Sequence, residues 1–233
     1  MKWFPFVLFA GCATVTPMQT ASVVERGHVR VGGQLSGGPC GQLKNGLLGV
    51  LSCNSFPDGV PLPELRVNAR SGFARGFDFG LSLQAYAQLL APERPFQMGL
   101  TADVKGELLR LKTSGPTHIV SVGLLGGGAI AGRLGLPLWA HLEWAVPLFY
   151  GLQFVHWELV ASTALGQRFT GSPNVSPSTN VANVSFSLGL YKRDPAGFAL
   201  QLSYLTDPAR FSSGAIQLQV GLFFDVVTVN KDH

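Results

Sequence analysis

The stretch GFDFGLSLQAYAQLL, Gly76 to Leu90, constrains this chain more than any other feature. Phe77, Phe79, Leu81, Leu83, Ala85 and Ala87 fall on one side, and Asp78, Gly80, Ser82, Gln84 and Tyr86 on the other. A period of two marks a strand with unlike faces, and no helix produces it. The rhythm recurs in Glu64–Phe73, Met98–Leu108, Val184–Tyr191, Phe198–Tyr204 and Ile216–Phe224, and none of these apolar faces carries a charge. The D-F-G of Asp78–Gly80 is therefore read as strand. A kinase would also need a Gly-rich phosphate loop and an H-R-D segment, and neither occurs.

Such strands need a setting. Charged residues make up 13% of the chain, about half the share in a soluble domain. No run reaches the roughly 18 apolar residues of a membrane-spanning helix. A hydrophobic chain of this kind can satisfy its backbone in lipid as a closed barrel. The pattern predicts about ten strands, at 28–36, 63–74, 77–87, 98–110, 118–130, 138–152, 156–169, 183–192, 197–205 and 215–225. The fold class expected is an all-β, transmembrane, antiparallel up-and-down barrel. Long and short connections mostly alternate, as outer-membrane barrels have short periplasmic turns and longer outer loops. An even strand count puts both termini at the periplasmic end. GLLGGGAI loses the alternation and Pro147 removes a ladder donor, so a bulge is expected there.

A soluble ligand-binding barrel also alternates, with its apolar side chains inward. Three features favour the inverse. Few charges are available to cover a soluble exterior. A small barrel holds little more than filling side chains or one ligand. Aromatics also gather near the strand ends, at Phe73, Phe77, Trp157, Tyr204 and Phe224, where interfacial girdles sit. The lumen would then be lined by Arg30, Glu64, Arg66, Arg70, Asp78, Asp103, Lys105 and Glu107. Taking Ala74–Gly76 as a turn sets Arg70 opposite Gly80 and diagonal to Asp78, within reach of an arginine. Across the next loop, the same reasoning sets Asp78 opposite Glu107 and Lys105 opposite Gly80. Arg70, Asp78, Lys105 and Glu107 converge as a charge-paired plug near the periplasmic end, with Glu143 and Arg168 as a further cross-strand ion pair.

The N-terminus reads as a targeting segment, with Lys2 before the short apolar run Trp3–Gly11. Residues 1–11 form the expected signal peptide, 12–27 a lipidated tether, 28–225 the barrel and 226–233 a C-terminal tail. LFAGC at Leu8–Cys12 resembles the lipobox of bacterial lipoproteins, which implies cleavage before Cys12 and acylation there. Ordinary cleavage after Ala21, at MQTA, is the alternative. Either route exports the chain, and export permits a disulfide between Cys40 and Cys53. Through AGCAT at Ala10–Thr14, the tether and the strand rhythm, the chain resembles small outer-membrane β-barrel lipoproteins of Gram-negative bacteria, a loosely defined and largely uncharacterised set. The resemblance implies an outer-membrane location with the lipid-anchored N-terminus in the periplasm. Phe224 stands where many such barrels end, and nine residues follow it.

Little in the chain carries chemistry. The net charge of +4 is not concentrated in a basic run, so a nucleic-acid surface is not expected. The sequons at Asn174 and Asn183 are read as chance. His141, Glu143, His156 and Glu158 repeat H-x-E, but a hairpin turn between the two pairs holds them apart, so no metal site or cofactor is expected. His156, Glu158 and Ser162 share a face, yet His156 and Ser162 lie ~20 Å apart along one strand, beyond the reach that a nucleophile and base require. His118 and His28 are not selected as partners by any spacing. The function expected is a monomeric, non-enzymatic barrel in outer-membrane lipid with a structural or interaction role. A narrow small-solute channel is the alternative, and a lipid-modifying enzyme comes third.

Overall fold

The computed structural model describes residues 18–36, 64–86, 96–132, 139–172, 175–193, 196–206 and 215–227. Ten antiparallel strands close into one barrel, each bonded to its neighbours in the chain. They are β1 (His28–Ser36), β2 (Glu64–Ala74), β3 (Phe77–Tyr86), β4 (Phe96–Lys112), β5 (Thr117–Gly132), β6 (Trp139–Gln153), β7 (Trp157–Ser172), β8 (Val175–Lys192), β9 (Ala196–Thr206) and β10 (Ala215–Val227). The last strand returns to the first, from His28 opposite Val227 to Ser36 opposite Gln219. Closure leaves no edge strand, so where neighbouring strands overlap the backbone is satisfied within the sheet.

The faces follow the sequence rhythm. On β3, Phe77, Phe79, Leu81 and Leu83 are exposed, while Asp78, Ser82 and Gln84 are buried. The same sorting runs round the wall: Leu188, Leu200, Leu202, Val220 and Leu222 face out, and Ser185, Gln201, Ser203 and Gln219 face in. An apolar exterior around a polar interior is the inverse of a soluble barrel and fits hydrocarbon. The barrel is therefore a membrane-spanning one. Phe73 and Phe77 stack 6.3 Å apart and Trp157 meets Phe198 edge-on at 5.5 Å, both at the end where the short turns lie. Aromatic rings at that level form an interfacial belt.

Arg75 and Gly76 alone join β2 to β3, and Gly76 takes φ 77°, a conformation open to glycine. The β2–β3, β4–β5, β6–β7 and β8–β9 connections share one end with His28 and Val227. Two details depart from the sequence reading. No bulge forms at Pro147: β5 and β6 keep one register on both sides, Val122 opposite Leu148 and Leu125 opposite Ala145. Gly123 lies so close that a Cβ there would sit 3.0 Å from the Pro147 ring, so the ring finds space without a kink. Bulges fall instead at Gly72/Ala74, Glu107/Leu109 and Thr170/Ser172. The second difference is β8, which begins at Val175 and absorbs most of an expected long loop. β9 pairs with it only from Val184 onward. Pro177 therefore lies where β8 has no β9 partner, and its missing donor costs little there.

Candidate functional site

The strongest chemistry lies inside the barrel at the turn end. Residues 18–24, part of the expected tether that precedes the barrel, are housed within its lumen. Met18, Gln19, Thr20, Ala21, Ser22 and Val24 are all buried. The segment descends toward the rim, touches β2 through an isolated bridge between Arg26 and Gly72, and turns at Gly27 into β1. Gly27 has φ 79°, and the His28 N–H donates to the Glu25 carbonyl across the turn.

Wall side chains hold this segment mainly by its backbone. Glu158, on β7 and fully buried, accepts from the Ala21 N–H at 2.7 Å and the Ser22 N–H at 3.0 Å. Its other oxygen accepts from the Ser22 hydroxyl at 2.7 Å. Asp78, on β3, accepts from the Val24 N–H at 2.8 Å. Lys105, on β4, donates to the Thr20 and Ser22 carbonyls at 2.8 and 2.9 Å. The Ser121 hydroxyl, on β5, donates to the Ala21 carbonyl at 2.7 Å, and Arg30 reaches the Thr20 hydroxyl at 3.1 Å. Hydrogen bonds to charged groups contribute about 1.5–3 kcal/mol each. The arrangement therefore fixes a short peptide, bent at Ala21 and Ser22, without a sheet ladder.

Glycines open the space. A Cβ on Gly151 would lie 2.7 Å from the Ala21 methyl, and one on Gly72 would lie 2.2 and 2.3 Å from the Glu25 and Val24 carbonyl oxygens. A Cβ on Gly221 would lie 2.8 Å from the Met18 sulfur. Cavities of about 40 and 20 Å³ remain beside Met18 and Gln19. Each has room for one or a few waters.

The wall charges pair above and around the segment. Arg70 forms ion pairs with both Asp78 and Asp103. Lys105 lies 3.6 Å from Asp78 and over the Phe149 ring. Nearer the rim, Arg30 pairs with Asp225 at 2.5 Å, and Arg193 lies 3.8 Å from Glu158. Two cations and two anions in the central cluster neutralise one another, which a low-dielectric interior demands.

The structure brings Arg70, Asp78 and Lys105 together and leaves Glu107 out. β3 and β4 pair two residues away from the expected register: Asp78 faces Lys105, and Gly80 faces Asp103. A shift of two preserves every face, so the hydrophobic pattern could not resist it. Asp103 takes the place assigned to Glu107, which pairs with Arg110 at 2.7 Å beside the Leu108 bulge. Glu143 is buried, and its position opposes Arg168 on β7. Cys12, Cys40 and Cys53 lie outside the described residues, as does Asn174. His156 sits in the β6–β7 turn, apart from Ser162, which opposes Phe149 within the strands. His118 contacts Tyr150 at 2.8 Å. Among the described residues no group of three or more His, Cys, Asp or Glu side chains is placed to hold a metal.

Sequence reasoning missed the pairing of Glu158 with residues 21 and 22. The available signals were a carboxylate on an inward position and a run of small residues, T-A-S, which fits a narrow lumen. No family model and no curated protein sequence matches the chain. Its shape is similar to an outer membrane channel from Pseudomonas putida F1, with a TM-score of 0.44 and 10% identity over 91% of this chain and all of that one. It is also similar to LpxR from Salmonella typhimurium (TM-score 0.40, 9% identity, 84% of this chain and 99% of that one). A third is the N-terminal β-barrel domain of Pseudomonas aeruginosa OprF, at 0.38 and 8% over 86% of this chain and 98% of that one. No residue role is carried over from these structures.

Proposed function

We propose that the chain is an outer-membrane barrel lipoprotein, anchored at Cys12, whose lumen is closed at rest by its own residues 18–24. Its role is structural or interactive, not that of an open pore or an enzyme. One observation carries the reading: Glu158, Lys105, Asp78 and Ser121, from four different strands, converge on one stretch of backbone. The lipobox-like sequence at the N-terminus and the apolar exterior support the location. Closure has a direct test in planar bilayers. Wild-type protein stays silent, and Glu158→Ala, which strands two N–H groups and a hydroxyl, gives intermittent conductance. Steady conductance by the wild type, unchanged in Glu158→Ala, overturns the reading and promotes the small-solute channel.

A further inference from the structure

The contacts inside the lumen fall mainly on backbone groups of residues 20–24. Three N–H groups and three carbonyls of the segment are bound by the wall: the N–H groups of residues 21, 22 and 24 by carboxylates, and the carbonyls of residues 20, 21 and 22 by Lys105 and Ser121. Backbone reading of this kind accepts many sequences. Two side-chain checks narrow them. Gly151 leaves room at residue 21 for a methyl group and little more. Glu158 accepts from a hydroxyl at residue 22, through an oxygen separate from the one that binds the N–H groups. Upstream, Gly221 makes a seat for the long, flexible side chain of Met18.

The segment is also separable from the wall. Among the described residues, its sheet contact is the isolated bridge at Arg26. The barrel ladder, from β1–β10 through β1–β2, is complete without it. Its removal therefore breaks side-chain hydrogen bonds and no strand pairing. On the reading that residues 18–24 close the lumen, we infer that the lumen wall is a peptide-recognition site: in exchange for that segment, it binds a short segment of another polypeptide in the same bent conformation. The ligand carries a small residue followed by a serine or threonine, and it enters from the turn end. Residues 18–24 are the resident, intramolecular occupant of that site, and Gly151 and Glu158 are its specificity-determining residues.

The full chain with Ala21→Trp tests this, because the indole cannot enter the Gly151 seat. In planar bilayers the variant conducts. An end-capped synthetic peptide of Met18–Arg26, added at the turn side, blocks the current, and from the opposite side it does not. The same peptide with Trp in place of Ala21 fails to block, and with Ala in place of Ser22 it blocks about tenfold more weakly or worse. A conducting variant that no peptide blocks, or that the Trp-bearing peptide blocks equally well, overturns the inference and leaves closure by the segment standing. A variant as silent as the wild type overturns the closure reading and this inference with it. If Ala21→Trp yields no heat-modifiable barrel, Ser22→Asp replaces it, setting a second carboxylate against Glu158 while keeping residue 21 small.

Discussion

Glu158 accepts the Ser22 N–H and the Ser22 hydroxyl on its two oxygens, joining residues 136 positions apart in the chain. A fully buried carboxylate needs such partners, since burial of an unpaired charge costs several kcal/mol. The wall and the segment therefore depend on each other. Glu158→Ala should lower the temperature at which the barrel band shifts on a heat-modifiability gel, and Glu158→Gln, which keeps an acceptor and a similar shape, should lower it less. Equal shifts for the two would show that the hydrogen bonds to the segment carry no stability.

Arg70 balances two carboxylates, Asp78 and Asp103. Arg70→Ala leaves two anions against Lys105, and breaking a buried pair this way costs about 3–5 kcal/mol. Arg70→Ala combined with Asp103→Ala leaves Lys105 against Asp78 and restores neutrality. The double variant should be more stable than the single one in urea unfolding from detergent. A double variant that unfolds as early as the single one, or earlier, contradicts the charge-balance account.

Gly72→Val separates closure from barrel formation. Valine suits a strand, but its Cβ would fall 2.2 Å from the Glu25 carbonyl oxygen. The variant should still migrate as a heat-modifiable barrel while conducting in bilayers. Silent channels from a well-folded variant would show that the segment tolerates the displacement.

Leu81 lies on the outer face of β3, and Val155 stands exposed at the tip of the β6–β7 turn. Arginine on the lipid face near the bilayer midplane costs about 2–4 kcal/mol, and near the interface about 0–1. Leu81→Arg should thus destabilise the barrel in lipid vesicles far more than Val155→Arg does. Equal effects would show that Leu81 does not face hydrocarbon.

The N-terminal reading is checked by intact mass. Cys12→Ala should abolish lipid labelling and leave precursor, and wild-type protein should begin at an acylated Cys12. An N-terminus at Ser22 would refute this, and would also remove the Met18–Ala21 contacts in the lumen. Cys40 and Cys53 should resist alkylation in unreduced, denatured protein, their bridge contributing roughly 3 kcal/mol by loop closure.

Sequence alone determined the strands, their number and which face meets lipid. The strands follow from a period of two, a property of each strand by itself, and the lipid-facing side from the few charges, the small interior and the aromatics near strand ends; Asp78, Ser82 and Gln84 on β3 face inward accordingly. It also determined that Arg70, Asp78 and Lys105 share the lumen, because a side chain's face survives any even shift of register. Only the tertiary structure decided which charges touch. Whether Asp78 meets Lys105 or Glu107 depends on the pairing of β3 with β4, and a shift of two residues leaves the hydrophobic pattern intact. Residues 18–24 lay further from view. They have no periodicity, and their place is set by hydrogen-bonding groups on four strands that are far apart in the chain and meet only when the barrel closes.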